Sequence, residues 1–362
     1  MAGAGDMLIL GTRKGVIQLR WDGEDCSFVR EGHRGVPVPY AFRDHRTGTI
    51  WASLDHGHWG TKLSRSRDEG VTWEEVSAPA YPEGSTLPDG SEAKSLYLWV
   101  LAPGGDNRPE RLYAGTEPGG LFVSDDGGRS FTLVESLWNH PSRQKHWFGG
   151  GRDHPGLHSV VVDPRDSDRI QVGISVAGVF ESTDGGGTWA PKNRGLRADY
   201  LPEKYPEVGH DPHLLVSCPS DPDRLWQQNH CGIFRSIDGG GNWEDVSEPE
   251  GPAKFGFAVA VDEEDGDTAW VVPAVSDEMR VAIQNALCVC RTEDGGKTWT
   301  ALRKGLPQIN AYDIVFRHAL DKRGDRLAFG TTTGNLYLSG DGGDTWVPAG
   351  NHFPPIYSVR FA

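Results

Sequence analysis

Asp55-His56-Gly57-His58-Trp59 sets two imidazoles two residues apart, and in an extended strand both rings would point to one side. Imidazole is the commonest metal ligand and titrates near neutral pH, so such a pair can hold a cation or move a proton. Other segments add further groups of this kind. His158 and His213 stand at the start of β-rich stretches, Asn229-His230 follows another, and Glu117 ends a third. His154 and His210 lie beside Asp153 and Asp211. If His56, His58, His158, His213 and His230 converge, they suit zinc, copper, iron or manganese, with Glu117 as a carboxylate ligand or base. Without a metal, the same histidines and Glu117 are the candidate catalytic acid–base groups. Arg13, Lys14, Arg152 and Arg280 are candidates for holding an anion, an arginine doing so through its two-pronged fork. Trp59 and Tyr312, with Trp99 and Trp147, are candidate ligand-lining aromatics.

These residues are spread over most of 362 positions, so the fold must gather them. The chain carries six copies of one octet: Ser66–Trp73, Ser124–Phe131, Ser182–Trp189, Ser236–Trp243, Thr292–Trp299 and Ser339–Trp346. Their central aspartates, Asp68, Asp126, Asp184, Asp238, Asp294 and Asp341, recur with a period of roughly 50 residues, the length of a four-stranded propeller blade. Within the octet, Asp can accept hydrogen bonds from backbone N–H groups that follow it, Gly supplies positive φ, and Trp opens the next strand with a large apolar face. Six active sites on one chain are implausible, so the octet is a latched hairpin turn.

A strand–turn–strand pattern precedes each octet, clearest at Leu157–Asp163, Arg169–Ser175 and Gly178–Ser182. The expected fold is all-β: one seven-bladed β-propeller domain of four-stranded antiparallel blades. Its blades are 7–30 with 355–362, 39–77, 94–135, 157–192, 211–247, 254–303 and 310–348. The C-terminal strand completes the N-terminal blade and closes the ring, which removes open sheet edges. Trp21–Phe28 is a degenerate octet.

Placed on this scheme, His45 and His318 fall in turns on the octet side, and the remaining histidines fall on the opposite face. That face also receives three long connections, 138–155, 195–210 and 273–285. Long loops on one rim of a rigid scaffold carry function, so a His-rich pocket is expected at that mouth of the channel.

The octet S-x-D-x-G-x-T-W resembles the Asp-box, or bacterial neuraminidase repeat, of the sialidase-like β-propellers. The resemblance implies the fold more than an activity, because sialidases, xyloglucan-cleaving enzymes, sortilin-type receptors and photosystem II assembly factors all carry such boxes. A sialidase would show Phe/Tyr-Arg-Ile-Pro near the first blade. The nearest stretch here is Tyr40-Ala-Phe42-Arg43-Asp44-His45, without Ile-Pro, so sialidase activity is not expected. Another glycosidase would need two facing carboxylates, for which Glu117, Asp153, Asp211 and Asp313 are candidates. The histidine excess favours a hydrolase or lyase, metal-assisted or not, acting on a small polar, glycosidic or anionic substrate. The alternative is a non-catalytic propeller that docks a protein on Trp138, Trp147 and Tyr200 at its rim.

The formal charge of −15 argues against nucleic acid and anionic membranes as partners. The start, MAGAGDMLILGTRKG, lacks a basic n-region, and the five cysteines are irregularly spaced. Reduced thiols and a cytoplasmic location are the expectation.

Overall fold

The computed structural model of the chain describes residues 5–362. Seven four-stranded antiparallel sheets form a ring, and each is a blade. The innermost strands are Tyr40–Arg43, Tyr97–Pro103, Leu157–Asp163, Pro212–Ser217, Gly256–Val261, Leu320–Arg323 and Ile356–Phe361. Each packs against its counterpart in the next blade, around to the start. The ring closes by hydrogen bonds between the two ends of the chain. Asp6–Thr12 pairs with Ile356–Phe361, Leu8 opposite Phe361 and Leu10 opposite Val359. Apolar side chains from neighbouring blades fill the space between sheets, as where Leu10, Leu336, Ile356 and Val359 meet. No helix among the described residues is long and apolar enough to cross a membrane. All five cysteines are free.

The octets are hairpin turns between third and fourth strands. Ser182 Oγ donates to Asp184 Oδ1 at 2.8 Å and receives the Gly186 amide at 2.8 Å. Thr188 donates its amide to Oδ1 and its hydroxyl to Oδ2 of Asp184, both at 2.8 Å. The same latch closes around Asp68, Asp126, Asp238, Asp294 and Asp341. Gly185 and Gly186 have φ of 71° and 96°, the left-handed region that a side chain would strain. Trp243 and Trp299 donate Nε1–H to the carbonyls of Lys192 and Val246, each at 2.8 Å, and so tie one blade to the preceding one. The degenerate copy keeps part of the latch: Asp22 Oδ1 accepts from the amides of Glu24 and Asp25.

In an up-and-down blade, the turns joining strands one to two and three to four share one face. Second-to-third turns and blade-to-blade connections share the other. That topology puts every octet on one face and all three long connections on the opposite one.

Candidate functional site

The opposite face opens into a cavity of about 730 Å³ over the channel. Second-to-third turns supply Arg13, Asp55, Val176 and His230. The long connections supply Phe148 and Arg152, Tyr200, and Asp277 with Arg280.

The floor is built by a repeated irregularity. In three consecutive blades the innermost strand carries one extra residue against its partner. Pairing skips from Leu98 to Val100, from Leu157 to Ser159 and from Pro212 to Leu214. The bulged residues are Trp99, His158 and His213. The Gly256–Val261 strand slips near Phe257 in the same way. A bulge re-aims a side chain that strict alternation would send elsewhere. Trp99, His213 and Phe257 consequently line the cavity, and His158 lies fully buried in the same layer.

Asp211 is the centre of the floor. Its Oδ2 lies 3.6 Å from Nε2 of His213 and 3.6 Å from Nδ1 of His230. Nε2 of His230 faces Asp277 Oδ2 at 3.8 Å. Nδ1 of His213 is held by the Gly256 carbonyl oxygen at 2.6 Å, and the ring stacks on Phe257 with centroids 4.7 Å apart. Burial alone would raise the Asp211 carboxyl, but His213, Arg317 and His230 more than offset it and bring it down to about 2. Burial lowers the His213 imidazole, with Asp211 opposing that shift.

Four guanidinium groups border this floor: Arg13, Arg152, Arg280 and Arg317. Arg317 sits between Trp99 and Phe257, its Cζ 5.0 and 5.9 Å from their rings. Burial pulls it down to about 10, Asp211 opposing. Arg152 lies 4.7 Å from the Tyr97 ring and pairs with the buried carboxylate of Glu117. Burial raises the Glu117 carboxyl, and Arg152 counteracts part of that rise.

Of the residues singled out from sequence, His154, His213, His230, Arg13, Arg152 and Arg280 line the cavity, with Asp211 and Trp99. Glu117 stands behind Arg152. His158 is buried with its Nδ1 3.0 Å from Ser159 Oγ, and burial with Arg317 and His318 nearby drives its imidazole well down, so it stays neutral. It is not positioned to exchange protons with a ligand in the cavity.

His56 and His58 do not join the cluster. They sit in a hairpin turn and not in a strand: Gly57 and Gly60 have φ of 50° and 75°, and the His56 amide closes on the Gly60 carbonyl at 3.1 Å. His58 is exposed beside Trp59, which is 67 % exposed. Tyr312 is 63 % exposed and also lies outside the cavity. Trp138 and Trp147, expected at a docking rim, are buried in the core instead.

His318 is a second correction. The stretch 311–316 reads as a strand but forms none. The innermost strand of its blade is Leu320–Arg323, which moves His318 from the octet side to the cavity wall and brings Arg317 with it. Tyr200, expected at a docking rim, lines the cavity, whereas Arg317 and Asp277 carried no motif and only the length of the Asp277 loop signalled it.

No family model matches the chain. It is 28% identical over 274 residues to a xyloglucanase of Paenibacillus sp., which covers 70% of this chain and 24% of that one. The chain thus spans about a quarter of the length of the curated relatives it matches. Among solved structures, an ancestral GH74 enzyme superimposes over 90% of this chain and 38% of its own, at a TM-score of 0.60 and 16% identity. YCF48 from Cyanidioschyzon merolae superimposes over 94% of both chains, at a TM-score of 0.53 and 14% identity. The chain is a seven-bladed β-propeller with neighbours among hydrolases of that fold.

Proposed function

We propose that the chain hydrolyses a glycosidic bond in a small anionic saccharide bound at the channel mouth. One observation carries this reading: an Asp–His cluster and four guanidinium groups share a single cavity walled by Tyr97, Trp99, Phe148, Tyr200 and Phe257. Aromatic faces suit sugar rings, and about 730 Å³ is in the range of small-ligand pockets. Arginine forks match carboxylate, sulfate or phosphate substituents. An uncharged glycan would leave several of them without a partner. The xyloglucanases among the relatives support glycoside cleavage; the arginines argue for an acidic substrate. The six octets are the Asp-boxes of the sialidase-like propellers, and the absence of Ile-Pro after Arg43 separates this site from a sialidase's.

In this reading the Asp211, His213 and His230 cluster activates the attacking water. Asp277 faces it across one imidazole ring and handles the proton of the leaving group. Arg317 and Arg280 hold the substrate anion, and Arg152 is held in place by Glu117.

The test is a panel of acidic and neutral oligosaccharides assayed for new reducing ends. Release from an acidic member, abolished in His230→Ala, supports the proposal. Binding without release would reassign the cavity to a receptor. Neither binding nor release across the acidic members would overturn it.

A further inference from the structure

Among the described residues, one group of three side chains is spaced to hold a metal ion: Asp211, His213 and His230, whose ligand atoms lie within 4.8 Å of one another. The hydrogen bonds around it make this more than proximity. The Gly256 carbonyl can only accept, so the proton of His213 sits on Nδ1, 2.6 Å away. In the neutral ring Nε2 then turns a lone pair toward the Asp211 carboxylate at 3.6 Å. That separation is too long for a hydrogen bond and leaves two acceptors facing each other. His230 approaches from the neighbouring face. Nδ1 of His230 faces the same carboxylate oxygen at 3.6 Å, and its Nε2 is directed to Asp277. A cation between the three atoms resolves this conflict and also takes the lone pair of His230 Nδ1.

We infer that Asp211 Oδ2, His213 Nε2 and His230 Nδ1 bind one divalent transition metal, zinc or iron(II) by ligand type. An ion about 2.0–2.2 Å from each ligand puts neighbouring ligand atoms roughly 3.0–3.5 Å apart, close to the 3.6 Å from Asp211 to each ring; the two rings, within 4.8 Å, would close on the ion. Each ring also has the outer partner that metal-bound histidines use. The Gly256 carbonyl orients His213, and the Asp277 carboxylate stands 3.8 Å from the outer nitrogen of His230, within reach of a small shift. Backbone geometry fixes the ligands relative to one another: the His230 amide donates to the Asp211 carbonyl at 2.9 Å, and His213 is the bulged residue two positions along. Three protein ligands on one side leave the ion's remaining positions open to the cavity, the arrangement of catalytic rather than structural zinc. The expected set of five histidines therefore reduces to two, with an aspartate in place of His56, His58 and His158.

Ion occupancy is independent of the cleavage reaction proposed above, and the test reads it without turnover. The full chain is stripped with EDTA, dialysed and titrated with Zn²⁺ by calorimetry. A parallel titration with Co²⁺ follows the visible absorption of the bound ion. One equivalent should bind, with a tetrahedral or five-coordinate cobalt spectrum. His230→Ala and Asp211→Asn should each weaken binding by roughly a hundredfold, and His154→Ala, on the cavity wall outside the cluster, should leave it unchanged. If a variant fails to fold, the wild-type cobalt spectrum still decides. Failure of the wild type to take up either ion, or one equivalent held equally well by both ligand variants, would overturn the inference. Saccharide cleavage by the wild type that EDTA stripping does not diminish would leave the proposed function standing without the ion.

Discussion

The backbone amide of His230 donates to the carbonyl of Asp211 at 2.9 Å, and the side chains of the same two residues face each other across 3.6 Å. The ladder that holds the innermost strand of this blade to its neighbour therefore also sets the distance between carboxylate and imidazole. A site built this way tolerates changes at its rim better than changes in its strands.

Arg280 should contribute to binding more than to turnover. It is on a long connection, over the Phe257 ring at 5.3 Å, and pairs with no carboxylate among the described residues. Arg280→Gln should raise KM for an acidic saccharide about tenfold with kcat little changed, the signature of lost uniform binding. Steady-state kinetics at fixed ionic strength check this. A fall in kcat with unchanged KM would place Arg280 at the reacting bond instead.

Arg152 should matter for stability in a pH-dependent way. It is half exposed, so water screens the pair, but its partner Glu117 is buried. Arg152→Met strands that carboxylate, at a cost of about 1–3 kcal/mol near pH 8. Burial already raises the Glu117 carboxyl, so the folded state takes its proton more readily than the unfolded state. Stability of the variant should therefore recover as pH falls toward 5. Denaturant midpoints at the two pH values measure it. A pH-independent loss would contradict the role given to Glu117.

His158 and His318 predict a different dependence. Burial and nearby arginines drive both imidazoles well below their ordinary range. The unfolded chain gains these protons near pH 6.5 and the folded chain does not, so stability present above that value is lost as pH falls. Each should cost about 1.4 kcal/mol per pH unit below roughly 6.5 until its folded value is reached. Urea unfolding between pH 7 and 5 reads the slope, and His318→Gln should reduce it.

The octet aspartates titrate lower. Hydrogen bonds from the latch hold Asp68 and Asp184 down to about 2 and lower Asp294; they also lower Asp238 and Asp341 against a partial burial that would raise them. Their contribution is complete above about pH 4 and disappears as pH falls toward 2. Asp341→Ala should lower the thermal midpoint by roughly 2–5 °C at neutral pH and leave saccharide binding untouched. An effect on binding would mean that the octet face and the mouth are coupled.

The fold was legible because its signal repeats: six octets with a common atomic latch mark six blades, and the strands at the two ends are complementary. The site was legible in part. His213 and His230 follow from their places in the repeat. The H-x-H at His56 and His58 misled because Gly57 and Gly60 favour a tight turn over an extended strand. His318 was displaced because its blade was expected to begin at 310, whereas its innermost strand begins at Leu320. The bulges at Trp99, His158 and His213 leave no local trace in residue type, yet they decide which side chains reach the cavity.

The most direct test of the central claim is the rate of reducing-end release from an acidic oligosaccharide by wild type, His230→Ala and Arg317→Lys, with folding verified by the thermal midpoint. The account predicts release by wild type, a loss of at least about a hundredfold in kcat for His230→Ala, and a selective loss of the acidic over the neutral substrate for Arg317→Lys. Equal release by wild type and His230→Ala, or wild-type preference for neutral oligosaccharides, would contradict it.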